Sequence, residues 1–136
     1  MDITFSNEQG KVPITVLKLN GDMDASNYRD LISKVEELFA AGNKDFIIDL
    51  SGVPFMSSAG MVALHSVALM LRGDKASDTD AGWSALKAFD RDRGRGMMVH
   101  VKLLSPQQYV AETLDKAGFT QFFEIFTDLK KAVASF

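Results

Sequence analysis

The chain has 136 residues, 46% hydrophobic and 24% charged, with a net charge of −3. That length suits one domain with a proper core, and the acidic balance argues against a nucleic-acid binder, which needs a concentrated basic face. The chain has no cysteine, which excludes disulfides, thiol chemistry and thiolate metal sites. No run approaches the roughly 20 apolar residues of a membrane span, and the N-terminus lacks the basic and apolar regions of a signal peptide. The expectation is a cytoplasmic domain.

In chain order, residues 2–6 alternate as a first strand, and Asn7-Glu-Gln-Gly10 reads as a turn. Ile14 to Leu19 alternates and is rich in β-branched residues, a second strand in hairpin with the first. Gly21-Asp-Met-Asp24 stops it. Asp24 or Ser26 caps a helix from about Asn27 to Ala41, with Leu31, Ile32, Val35, Leu38 and Phe39 in one stripe and Gly42 at its end. Phe46-Ile-Ile-Asp-Leu50 is short, apolar and β-branched, a buried strand. From Ser58 to about Arg72 the apolar residues Met61, Leu64, Ala68 and Leu71 recur at helical spacing.

After Arg72 the character changes. Gly73 to Gly82 is polar, small and aperiodic, and a mobile surface excursion is expected over about 73–90. Trp83, Leu86 and Phe89 follow at helical spacing, and Asp90 to Gly96 is a charge-dense turn. Met97 to Leu104 reads as a strand. Ser105-Pro106 starts a helix with proline at its first position, running to about Lys116 and ended by Gly118. Phe122 to Phe126 is a last strand, and Thr127 or Asp128 caps a terminal helix to about Ser135. The order ββαβαβαβα predicts an α/β domain: a mixed sheet, mostly parallel after an N-terminal hairpin, with about four helices.

Chemistry concentrates between the central strand and its helix. A helix that begins at a serine offers unpaired N–H groups and the positive end of its dipole to whatever that serine carries. On the residues alone, Ser57 and Ser58 are a helix cap or a modification site. Asp24 is a helix cap, and Asp49 is a loop brace or a second acid beside Ser58. A hydrolase triad of Ser58, His65 and Asp49 fails, because seven residues along one helix is roughly 10 Å and a base must reach its nucleophile within about 3 Å. The Gly-x-Ser-x-Gly elbow is missing, since Met56 stands at its first glycine. There is no phosphate-cradling glycine loop. Two distant histidines, His65 and His100, give a metal site little support. No cofactor, metal or catalytic residue is expected.

Several separated motifs fall in one order. They are Gly21-Asp-Met-Asp24; Asp49-Leu-Ser-Gly-Val-Pro-Phe-Met-Ser-Ser-Ala-Gly-Met61; Leu104-Ser-Pro106; and Leu114 with Gly118-Phe119. Together they resemble the STAS domain family, the fold of bacterial anti-sigma-factor antagonists, over nearly the whole chain. The resemblance implies phosphorylation at Ser58 by a partner serine kinase of the histidine-kinase-like ATPase class. That kinase is also the anti-sigma factor, bound by the unphosphorylated form, and a serine phosphatase resets the switch. It implies a binding module, not an enzyme. Two positions depart from the family pattern: Ser57 replaces the usual aspartate, and Ala59 replaces a serine. Ser57 is thus a second candidate acceptor, and the resemblance implies that Asp24, near the phospho-site, orients the loop or the kinase-bound geometry. Asp24, Met56, Ser57, Ser58, Ala59, Gly60 and Met61 make up the expected partner surface, with small Ala59 and Gly60 admitting a partner backbone and Met56, Met61 and Val62 as apolar rim. The aspartate-to-Ser57 change also suits a second reading, an unmodified STAS scaffold in a signalling or transport assembly. The sequence sets no oligomeric state.

Overall fold

The computed structural model describes residues 1–72 and 98–136. The expectations for the excursion over 73–90, for Trp83, Leu86 and Phe89, and for the turn before Met97 lie outside the described residues. Among the described residues five strands form one sheet: β1 (Asp2–Gln9), β2 (Pro13–Asn20), β3 (Phe46–Gly52), β4 (Val101–Leu104) and β5 (Ile125–Phe126). They lie side by side in chain order. β1 pairs antiparallel with β2, and each later pairing is parallel. The described helices are α1 (Tyr28–Ala40), α2 (Ser58–Arg72), α3 (Gln108–Lys116) and α4 (Leu129–Ala134), with a 3-10 turn at Phe119–Gln121. The mixed α/β class is as expected.

The two faces of the sheet follow from the period of two along each strand. Leu17, Leu19, Phe46, Ile48, Leu50, Val101 and Leu103 point to one face, under the apolar stripes of α1, α2 and α3. Ile14, Val16, Ile47 and Leu104 point to the other, where Ala132, Leu129 and Val133 of α4 cover them. Lys102 also points there and is only 3% exposed. Its ammonium group donates to Glu124 Oε1 at 3.2 Å and to the Ser135 carbonyl at 3.1 Å, and lies 4.7 Å from the Phe136 ring centroid. A buried charge held this way pins the end of α4 to the sheet.

Four boundaries differ from the sequence reading, each for a tertiary reason. β1 runs on to Gln9 because Asn7, Glu8 and Gln9 find partners in Thr15, Ile14 and Pro13. β4 begins at Val101, not Met97: β3 starts at Phe46, whose register partner is Val101, and Met98 donates instead to the Phe122 carbonyl. β5 is reduced to Ile125–Phe126, because Phe122 and Phe123 are buried in the turn before it, ring edge to ring face. Pro106 precedes the helix cap Gln107 rather than opening α3. Ser105 takes φ +50 there, and its N–H donates to Phe126 O at 2.7 Å, so β5 still holds the chain at the point where the helix was expected to start. Asp128 caps α4 as expected, accepting from the Lys130 N–H at 2.8 Å.

Candidate functional site

The β3–α2 loop is sewn to the chain that follows β2. Gly21 N–H donates to Gly52 O, Met23 N–H to Phe55 O, and Ser57 N–H to Met23 O, at 2.9, 3.0 and 2.9 Å. Met23 and Met56 form a bridge at this crossing. The loop therefore enters α2 from a fixed direction, and the Met61 N–H finds the Ser57 carbonyl at 3.2 Å. Ser57 is the residue before the first helical turn. Its hydroxyl is buried and has no hydrogen-bond partner among the described residues. Ser58, one residue on, is exposed at the N-terminal turn of α2, where backbone N–H groups are unpaired and anions are favoured.

Three residues expected at the partner surface are placed inside instead. Met56 is 2% exposed and Val62 is buried, so neither is rim. Gly60 is buried as well: a Cβ there would lie 2.6 Å from Met56 Cγ and 3.0 Å from Met23 Sδ. Glycine at this position lets α2 approach the methionine bridge and does not admit a partner backbone. Ala59 and Met61 are partly exposed. The apolar surface comes from two residues that sequence reasoning missed. Phe55 (39% exposed), three residues before Ser58, stacks on Tyr109 (53% exposed) of α3 with ring centroids 5.8 Å apart. The Gln107 side chain donates to Ser51 O at 2.9 Å and ties the start of α3 to the end of β3. Phe55 stood in the motif, but nothing in the sequence around Tyr109 marks it.

Asp24 does not cap α1, whose N-cap is Asn27. Its carboxylate accepts from the hydroxyl and the N–H of Ser26, and these two bonds, the hydroxyl's first, hold it below the usual carboxylate range. The Asp24 carbonyl accepts from Asn27 and Tyr28. The residue thus braces the turn adjoining Met23, beside the serine loop. Asp49 accepts from the Ser51 N–H at 2.9 Å, the loop-bracing alternative. His65 is buried in α2 in a T-shaped ring contact with Phe122, so Ser58, Asp49 and His65 are not brought together. His100 lies ahead of β4 rather than within a strand, with Nδ1 2.9 Å from Asp45 Oδ1. Among the described residues no group of three His, Asp or Glu could hold a metal ion, and no helix is long and apolar enough to cross a membrane.

The sequence model of the STAS domain matches residues 7–77, which hold the end of β1, then β2, α1, β3, the serine loop and α2. The chain belongs to the STAS domain family. Solved structures agree on the fold. An anti-sigma factor antagonist from Mycobacterium paratuberculosis is 16% identical, covering 98% of this chain and 93% of its own, with a TM-score of 0.64. The anti-sigma factor antagonist SpoIIAA in its unphosphorylated form is 15% identical over 95% of this STAS domain and 93% of its own chain, with a TM-score of 0.52. The phosphorylated form of SpoIIAA, a Bacillus cell fate determinant, is 15% identical over 96% of both chains, with a TM-score of 0.51. At these identities the likeness shows the fold alone. No curated protein matches the sequence.

Proposed function

We propose that this STAS domain is an anti-sigma-factor antagonist, a binding module that sequesters a serine-kinase anti-sigma factor and is switched off by phosphorylation of Ser58. The kinase is of the histidine-kinase-like ATPase class, a serine phosphatase reverses the modification, and the exchange takes place in the cytoplasm. The observation that carries the reading is the contrast between neighbours: the Ser58 side chain is exposed at the mouth of α2, whereas the Ser57 hydroxyl is buried. Ser58 is therefore the acceptor, and Ser57 is not. The family membership and the likeness to antagonists, one of them phosphorylated, support it.

The chemistry suits the position. Transfer of the ATP γ-phosphoryl group to Ser58 Oγ releases ADP and a proton and adds about −1.5 to −2 charge. The first turn of α2 tolerates that charge, so the domain stays folded. The partner senses it instead: burying an unpaired dianion costs several kcal/mol, a large share of the roughly 8 kcal/mol of a micromolar complex. Exposed Phe55 and Tyr109, with Ala59 and Met61, supply the apolar contact. Incubation with the kinase and ATP puts one phosphate on the wild type and none on Ser58→Ala; equal labelling of the two removes the assignment.

A second reading is a STAS scaffold whose serine is never modified, within a signalling or transport assembly. Ser57 favours it, since the usual aspartate is missing beside the acceptor. Partner capture indifferent to Ser58→Asp supports the scaffold over the switch.

A further inference from the structure

The two edges of the sheet are unequal. β5 offers only Ile125 and Phe126, too short to template another strand. β1 offers eight residues, paired with β2 without a break in register, and among the described residues no strand lies along its outer edge. Proteins ordinarily blunt such an edge with lysine, proline, a bulge or an inward charge. β1 has none of these: its charges, Asp2 and Glu8, sit near its two ends, and between them run Ile-Thr-Phe-Ser-Asn. Phe5 at the centre is 50% exposed, with the Lys34 ammonium 5.0 Å from its ring centroid.

We propose that β1 pairs antiparallel with β1 of a second copy of this chain, making one continuous sheet of ten strands, five from each copy. A two-fold axis normal to the sheet keeps the faces matched, so opposed residues share a face. Ile3 and Phe5 share one, with Leu19 and Leu17 as their partners on β2. Phe5 opposite Phe5 brings Asp2 against Glu8, a like-charge pair that destabilises. Sliding so that Thr4 meets Thr4 puts each Ile3 opposite a Phe5 and each Asp2 opposite a Ser6. This register has two apolar cross-strand pairs and no like-charge pair, and it is the one selected. A single strand edge is small beside a standard interface of about 1,600 Å², so the dimer dissociates on dilution. The two-fold axis reverses the strand direction of the second copy, so the two Ser58 loops, each at the C-terminal end of its β3, emerge at opposite ends of the strands and stay exposed.

The absence of native cysteine makes the register testable. Thr4→Cys places two thiols directly across the axis, about 4.5–5.5 Å apart at Cα and within disulfide reach. Ser6→Cys leaves them offset by four residues, roughly 13 Å. Under mild oxidation Thr4→Cys is expected to cross-link at least tenfold faster than Ser6→Cys. In sedimentation velocity the wild type dimerises with concentration, and Thr4→Lys, which sets two ammonium groups together, raises the dissociation constant at least tenfold while the far-ultraviolet dichroism stays unchanged. A wild type that remains monomeric at several hundred micromolar, equal cross-linking of the two cysteine variants, or a dimer indifferent to Thr4→Lys overturns the proposal; pairing only with a foreign strand does so by the first of these.

Discussion

Two hydroxyls one residue apart at the head of α2 meet opposite surroundings, and the difference is set by the loop that delivers them. Ser57 is turned inward by its N–H bond to Met23 O, while Ser58 faces water. Beside them, Phe55 and Tyr109 present aromatic surface that packing within the domain does not consume. Tyr109→Ala is expected to weaken the kinase complex at least tenfold in a titration while changing stability by less than about 0.5 kcal/mol, as for an exposed substitution. Asp24 has a signature of its own. Its folded pKa lies below the unfolded value of about 3.9, so its contribution to stability is present above that value and is lost as pH falls through the depressed one. Thermal melts of wild type and Asp24→Asn are expected to differ at neutral pH and to converge as acidification passes through the depressed value. The sequence marked Asp24 as important but not as a brace for its own turn, because a short-range bond to Ser26 and a helix cap are written with the same residue types.

The elements that were legible carry periodicity over many residues. The α1 stripe from Leu31 to Phe39, the β-branched β3 and the rows of α2 each repeat a pattern often enough to identify themselves. The ends of β4 and β5 do not, because they depend on which neighbour is in register. Met56 read as rim for the same reason, since the bridge to Met23 joins loops 33 residues apart. Close approach between such elements gives sharp tests. A Cβ on Gly52 would lie 2.3 Å from Asn20 Oδ1 and 2.7 Å from the Leu19 carbonyl, at the point where the β2–β3 register shifts. The backbone carbonyl cannot rotate away, so Gly52→Ala is expected to lower unfolding free energy by about 2–3 kcal/mol in denaturant melts. The α4 cover depends on Lys102. Glu124→Gln leaves a buried ammonium with the Ser135 carbonyl and an aromatic face but no counter-charge, and about 2–3 kcal/mol of destabilisation is expected, tempered by the solvent that reaches Glu124.

At the scale of the molecule, the parallel pairing of β3 with β4 carries the loops after them to the same end of the sheet, and this gathers Ser58, Phe55 and Tyr109 from α2, its loop and α3. The opposite-running β1 forms one edge of the sheet, two strands away from the serine loop. The proposed switch site and the proposed self-pairing edge thus occupy separate regions of the domain. The central claim is that a single exposed hydroxyl gates association with another protein. Calorimetric titration of the kinase with unmodified and Ser58-phosphorylated chain tests it most directly. The account predicts at least a hundredfold loss of affinity on phosphorylation, about 2.7 kcal/mol, with the domain still folded; affinities within twofold of one another would contradict it.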